Sequence, residues 1–365
     1  MPFSDFQGNA ETVRRLREML AREHFPHALI LAGGRGAGKY TLALMLARAM
    51  NCPEKPTADG LPDFCGHCSN CTRIGEAADL DAKFAEAVEA REGLRDADKK
   101  ETRIFVQTHP DVLVIPPDPP QMLVKVDQVR KVIHSIYMKP AEAREKVYIF
   151  SDAVFMKEAA NSLLKVLEEP PEFATILLLT ENAGELLPTI RSRSMVFALA
   201  ALPPEDLERD LARQHPEWSA SQRSLVARLS EGAVGRARSF DLAGYVAARK
   251  NALTLLSSSL KNGEHSELFK ATESYRPGAE GREKIEQLIS TLYSLLHDLM
   301  LLISGAGASI RNADIRAELK GLADRVDLDW IARASDRLGE VERGMRRNLL
   351  RSLSLDAFAA GLERR

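Results

Sequence analysis

Hydrophobic positions change rhythm along this chain, and each rhythm predicts an element. Residues 27–32 form an unbroken apolar run, as a strand buried on both faces does. Residues 42–50 behind it are apolar and alanine-rich, the pattern of a packed helix. The short β-prone run recurs at 147–150, ending at Ser151-Asp152, and at 175–179, ending at Thr180-Glu181-Asn182. Between these two, Ala159, Ala160, Leu163, Leu164 and Leu167 repeat at three and four until Glu168-Glu169-Pro170-Pro171 stops the helix. Strands alternating with helices predict a parallel sheet covered on both faces. Ligands of such sheets bind at the carboxyl ends of the strands, where Lys39, Ser151, Asp152 and Thr180 fall.

After Leu202-Pro203-Pro204 the pattern is helical throughout. Residues 205 to about 243 fit a small three-helix lid, and long amphipathic helices are expected at 285–304, 315–338 and 341–362. Breaks are expected at 261–265 and at the Arg276-Pro277-Gly278 turn. Residues 76–100, rich in Ala, Glu, Asp and Arg, carry Leu80, Phe84 and Val88 four apart. This predicts one amphipathic helix lying on the cysteine-rich segment before it, its charges solvated. A partner-binding role for the stripe is the alternative.

The first strand leads into Gly33-Gly34-Arg35-Gly36-Ala37-Gly38-Lys39-Tyr40-Thr41. Such glycines let backbone N–H groups close around phosphate oxygens at a helix N-terminus, with Lys39 reaching the β and γ phosphates. A glycine-rich turn that holds no nucleotide is the plainer reading. The motif requires Ser or Thr after the lysine, to ligate Mg²⁺, and here stands Tyr40. A phenol hydroxyl at the end of a long rigid ring cannot take that place. Thr41 is rotated roughly 100° further around the helix and is expected to point elsewhere. ATP or ADP binding is therefore expected to be weak or absent.

All four cysteines, Cys52, Cys65, Cys68 and Cys71, fall within one stretch as C-x12-C-x2-C-x2-C. Two tight C-x2-C steps and a more distant thiol supply the four soft ligands of a closed structural zinc site. Disulfides could use the same residues, but nothing else in the sequence suggests an oxidising compartment. With 365 residues the chain has room for two or three domains. A net charge of −2 excludes a generally basic nucleic-acid coat while leaving room for a local basic patch. There is no secretory leader pattern and no apolar run of about 20 residues, so no membrane partner and a cytoplasmic location are expected.

Several stretches together resemble the bacterial DNA polymerase III clamp-loader subunits of the AAA+ class. They are His27-Ala28-Leu29, the cysteine cluster behind the glycine-loop helix, His109-Pro110-Asp111, Lys146 to Phe150, and Asn161 to Pro171. Ser192-Arg193-Ser194 resembles the family's Ser-Arg-Cys motif with serine for cysteine, and Gly235-Arg236-Ala237 its sensor-2 arginine site. The resemblance implies an α/β AAA+ P-loop core over 1–202, with a zinc module at 51–73 and a charged helical insert at 74–107. It implies a helical lid at 203–243 and an all-α collar at 244–365 for oligomerisation. It also implies a heteropentamer with gamma/tau and delta subunits, acting on the sliding clamp and primer–template DNA.

The motor subunits of that family keep an Asp-Glu pair after the second strand, where this chain has Ser151-Asp152. Serine is a poor substitute for a carboxylate on a hard cation. Asp152 is also one methylene short of Glu, or it is simply a helix N-cap. With Tyr40, this resembles the stationary member of the ring, without ATPase activity of its own. By the same resemblance Arg193 is an arginine finger acting in trans, and Arg191 is structural or solvent-facing. Arg236 either senses a γ-phosphate or ends a helix without a ligand. The alternatives are an active ATPase subunit of the gamma/tau type, and a stand-alone P-loop phosphotransferase, for which no substrate-pocket motif is found.

Overall fold

A computed structural model describes residues 2–22, 25–260, 279–346, 358 and 362. Its contacts divide the chain into two units. The first is Met1–Leu202 with Gly232–Arg236, and the second is Pro203–Glu231 with Ala237–Arg365.

In the first unit helix α1 (Ala10–Ala21) precedes strand β1 (Ala28–Ala32), and the glycine loop leads from β1 into α2 (Lys39–Asn51). Nine positions of α2 are buried around its whole circumference, which places it inside the layers. A hairpin of β2 (Thr57–Ala58) and β3 (Leu61–Pro62) follows. Its turn residues Asp59 and Gly60 both have positive φ, 53° and 73°. That is the backbone an Asp-Gly hairpin turn supplies with little strain. Buried Arg17 on α1 seals the hairpin by donating to the carbonyls of Ala58, Leu61 and Pro62 at 2.6, 3.0 and 2.9 Å.

Next come α3 (Ser69–Gly75), α4 (Leu80–Glu92), α5 (Asp96–Glu101), β4 (Val106–His109), β5 (Val112–Ile115) and α6 (Val126–Ile136). The unit is completed by β6 (Lys146–Phe150), α7 (Lys157–Glu168), β7 (Ala174–Thr180), α8 (Pro188–Arg191) and β8 (Met195–Ala198). The six-stranded sheet runs β4-β5-β6-β7-β1-β8, parallel except for the β4/β5 pair. Strand alternation divides its side chains between two cores. Leu29, Leu31, Val147, Ile149, Leu177 and Leu179 pack under α1, α2 and the cysteine segment. Ile30, Tyr148, Phe150, Ile176 and Leu178 pack against α6 and α7. The parallel sheet covered on both faces is thus present.

The expected single helix over 76–100 is two helices. Gly93 caps α4, and Leu94-Arg95 separates it from α5. The segment is pinned to the loop after β5 by a buried Arg91–Asp118 ion pair of 3.0 Å, and Asp118 also accepts from the Ile104 N–H at 3.1 Å. Its stripe does not simply lie on the cysteine segment. Leu80 packs on the core that holds Cys52 and Cys71, but Leu80 and Phe84 both line the cavity beside the glycine loop.

The second unit is helical among its described residues. Helices α9 (Pro204–Gln214) and α10 (Ala220–Leu229) pair, and Arg238 clasps the buried Asp210 through two contacts of 2.7 and 2.8 Å. Further along, helices Leu242–Ser258, Ala279–Ile303, Arg316–Ala323 and Leu328–Arg346 enclose a core with Leu255, Leu292, Leu319, Trp330 and Leu338. The expected helix over 315–338 is interrupted. Asp327 caps a new helix by accepting from the Trp330 N–H at 2.7 Å, and that helix runs through Val341 without the expected break. The expected breaks at 261–265 and 276–278, and most of the expected helix 341–362, lie outside the described residues. Among the described residues no helix is long and apolar enough to cross a membrane.

Candidate functional site

The glycine loop leaves the carboxyl end of β1 and wraps the N-terminus of α2. Gly36 and Gly38 have φ of 81° and 89°. A Cβ on Gly36 would lie 2.9 Å from the Arg236 backbone nitrogen, and one on Gly38 3.0 Å from the Phe6 ring. Both positions therefore need glycine for φ and for space. The Gly235 N–H donates to the Gly36 carbonyl at 2.8 Å, so exposed Gly235 and Arg236, in the short helix Val234–Arg238, sit directly on the loop. Lys39 folds back, donating from Nζ to the carbonyls of Gly33 and Gly34 at 2.6 and 3.0 Å.

A cavity of about 550 Å³ opens beside the loop. Lys39, Tyr40, Thr41, Ser151, Asp152 and Glu181 line it together with Leu80 and Phe84 of α4. Burial lowers the Lys39 pKa, opposed by the charges of Glu181 and Asp152. Burial and then the Glu181 charge raise that of Asp152, opposed by Lys39. Lys39 and Asp152 thus share one recess, and the charge of each opposes the shift that burial gives the other. Helix α7 takes Met156 as its N-cap, so Asp152 is not a helix cap. Thr41 corrects an expectation, because it lines this cavity rather than pointing away. A recess this wide spans more of the first helical turn than one side chain.

Tyr40 is turned out of the phosphate position. Its hydroxyl donates to the Ala77 carbonyl at 2.7 Å, beyond the end of α3, and burial pushes its phenol pKa up. Such a bond is worth about 1 kcal/mol net. It ties the first turn of α2 to the cysteine segment.

The four cysteine Sγ atoms lie within 4.8 Å of one another. All four are free thiols, Cys52 and Cys71 buried. The Cys65 and Cys71 sulfurs are 4.0 Å apart, well beyond a disulfide bond of about 2 Å. Tetrahedral zinc with ~2.3 Å ligand bonds needs sulfurs about 3.8 Å apart. Backbone N–H groups of Cys65, Cys68 and Cys71 point at the sulfurs of Cys52, Cys65 and Cys68 at 3.4, 3.3 and 3.4 Å. Donors aimed this way stabilise thiolate charge. The donor set fits a closed four-sulfur metal site.

Asn51 and Asn70, beside the outer cysteines, fasten the segment to the sheet. Asn51 Oδ1 accepts from the N–H groups of Arg144 and Glu145 at 3.2 and 3.0 Å, and Asn70 Nδ2 donates to the Asn51 carbonyl at 2.8 Å. His109 Nδ1 accepts from the Asp111 N–H at 3.1 Å, which leaves Nε2 to donate to Asn70 Oδ1 at 3.2 Å. Asp111 takes the N–H groups of Ala141, Glu142 and Ala143 at 2.8, 2.8 and 2.9 Å. The motif His109-Pro110-Asp111 thus organises the loop entering β6.

Arg193 occupies the opposite edge of the sheet. Met195 pairs with Leu29 at the start of parallel β1 and β8, whereas the glycine loop leaves their far end. The five residues of β1 put roughly 13 Å of strand between the two ends. Arg193 Nη1 donates to the Thr189 carbonyl at 3.0 Å, and Nη2 pairs with Glu168 Oε1 at 2.6 Å. Glu168 had only the look of a solvated helix end. No spacing rule links a helix-terminal glutamate to an arginine 25 positions on.

The fold and the loop define an α/β protein of the P-loop type. The family described as "DNA polymerase III, delta subunit" matches residues 8–203, more than half of the chain, and the chain belongs to that family. It is 29% identical over 237 residues to the DNA polymerase III subunit tau of Escherichia coli (strain K12), which is 64% of this chain and 31% of that protein. It is 28% identical over 212 residues to the subunit gamma/tau of Mycobacterium tuberculosis (strain ATCC 25618 / H37Rv), 58% of this chain and 31% of that protein. The chain spans about a third of the length of these relatives. Among solved structures, a DNA polymerase III gamma subunit-related protein from Thermotoga maritima superposes over 96% of this chain and 98% of its own, with TM-score 0.40 and 19% identity. The clamp-loader delta protein of Bacillus subtilis does so over 96% and 99%, with TM-score 0.31 and 10% identity.

Proposed function

We propose that this chain is a non-motor, stator-like subunit of the delta-prime type in a bacterial DNA polymerase III clamp loader. It sits with gamma/tau and delta subunits in an AAA+ heteropentamer that loads the sliding clamp onto primer–template DNA. Cys52, Cys65, Cys68 and Cys71 hold one structural zinc ion. Gly33, Gly36, Gly38, Lys39, Tyr40, Thr41, Ser151, Asp152 and Arg236 form a degenerate nucleotide site. Arg193 completes the ATP site of the neighbouring subunit. Residues 203–243 act as the lid and 244–365 as the collar through which the subunits assemble. The place of action is the cytoplasm.

The observation that carries this reading is the Tyr40 hydroxyl, held by the Ala77 carbonyl at 2.7 Å. The group that should ligate Mg²⁺ in a P-loop hydrolase is spent on the fold. Ser151, where a carboxylate would hold the same cation, supports the reading independently. A second reading, an active gamma/tau-type ATPase, is favoured by one finding: the similar proteins named above are tau and gamma/tau subunits.

Steady-state ATP turnover by the isolated chain with Mg²⁺, beside Lys39→Ala, separates the two. The expected result is no turnover above the Lys39→Ala background. Turnover that disappears with Lys39 would transfer the assignment to the active ATPase.

A further inference from the structure

Arg193 is held by two different elements. Glu168 is the last residue of α7, followed by the C-cap Glu169 and then Pro170-Pro171. Thr189 lies on the short helix α8. The guanidinium bridges the two, with Nη2 on the Glu168 carboxylate at 2.6 Å and Nη1 on the Thr189 carbonyl at 3.0 Å and the Ser192 hydroxyl at 3.4 Å. A guanidinium has five N–H donors in a rigid fork. These contacts use Nη1 and Nη2, and Arg193 with Glu168 lines an open cavity of about 560 Å³ shared with Pro26, Ala28, Ser194 and Met195.

The Arg193 and Glu168 side chains are 34% and 51% exposed. An ion pair this open adds little to stability. What it does is select a rotamer for a long side chain that otherwise samples many. For a charge that must meet phosphoryl oxygens in one geometry, misplacement by about 1 Å costs on the order of a hundredfold in rate.

We infer that Glu168 is a positioning residue for Arg193: it aims the guanidinium outward, toward the phosphates of a nucleotide held by the neighbouring subunit. This rests on the reading of Arg193 as a finger in trans. Glu168 touches neither nucleotide nor reacting atoms, and its effect passes through Arg193 alone.

The test uses a reconstituted complex in which the ATP site facing Arg193 is the only competent one. Glu168→Ala is expected to lower kcat for ATP about tenfold with KM within twofold. Glu168→Gln keeps an oxygen acceptor at the same reach and should stay within about threefold of the parent. In an Arg193→Ala background, Glu168→Ala should add nothing. Gel filtration and thermal unfolding monitor assembly. Should the alanine variant fail to assemble, Glu168→Asp, whose carboxylate stops one methylene short, is expected to give the same kcat loss. The inference is overturned if Glu168→Ala leaves kcat unchanged or raises it while Arg193→Ala abolishes turnover, or if Glu168→Ala lowers kcat further without Arg193. Full turnover in Arg193→Ala alone would sink the finger reading itself, and this inference with it.

Discussion

Asp111 is 4% exposed, yet it is held as a carboxylate. Burial alone would raise its pKa, but the N–H groups of Ala143, Glu142 and Ala141 outweigh that and hold it below the ordinary range. Because the folded pKa is depressed, its contribution to stability is complete above the unfolded value near 3.8 and is lost as pH falls below about 4. Asp111→Ala strands three backbone donors at a cost of about 1–3 kcal/mol each if they stay dry, and ~3 kcal/mol overall is expected in urea unfolding at pH 7. Asp111→Asn should also flatten the loss of stability as pH falls below about 4. A variant as stable as the parent at pH 7 would show that water replaces the carboxylate. The residue belongs to the His109-Pro110-Asp111 motif, but its partners lie 30 positions on, a pairing that local spacing does not reveal. Tyr40 divides the same way: the missing magnesium ligand was plain from the sequence, and the bond to Ala77 was not.

Among the elements, those with strong local rhythm were legible, namely β1, α2, β6, α7 and β7. The strands that escaped, β4, β5 and β8, are four residues each. An apolar run so short does not separate strand from buried helix. The insert differs from its sequence pattern because Gly93 breaks a run of charges that continues past it, and its stripe faces two surfaces. The cysteine segment is where spacing carried furthest, since C-x2-C steps depend only on local chain geometry. One zinc per chain is expected by atomic emission, and Cys71→Ser should lose the metal and lower Tm by about 5 °C. That is the shift ~2 kcal/mol produces in a unit of this size. A Cys71→Ser protein that keeps a full equivalent of zinc and its Tm would rule the four-sulfur site out.

For the molecule as a whole, the sheet sets its two candidate functional groups apart. Arg193 is at the edge where β1 and β8 begin, and the glycine loop is where they end. Side-chain reach cannot close that gap, so Arg193 has no access to a phosphate held by its own loop. In the reconstituted complex with a single competent site, Arg193→Ala is expected to lower ATP turnover about a thousandfold, in line with arginine fingers of well-studied NTPases. Assembly, read by gel filtration, should be unchanged. Loss of assembly instead would make Arg193 an interface residue only.

The strand order also fixes a timetable. Strand β1 is wholly buried, and its two neighbours are β7, register Ala28 to Ile176, and β8, register Leu29 to Met195. A ribosome adding about 5–20 residues per second takes on the order of ten to thirty seconds to travel from β1 to β7. The cysteine quartet is complete long before then, and so is the first helix behind the glycine loop. The apolar strand that carries the loop is therefore made well before either of its neighbours and is seated only once they follow.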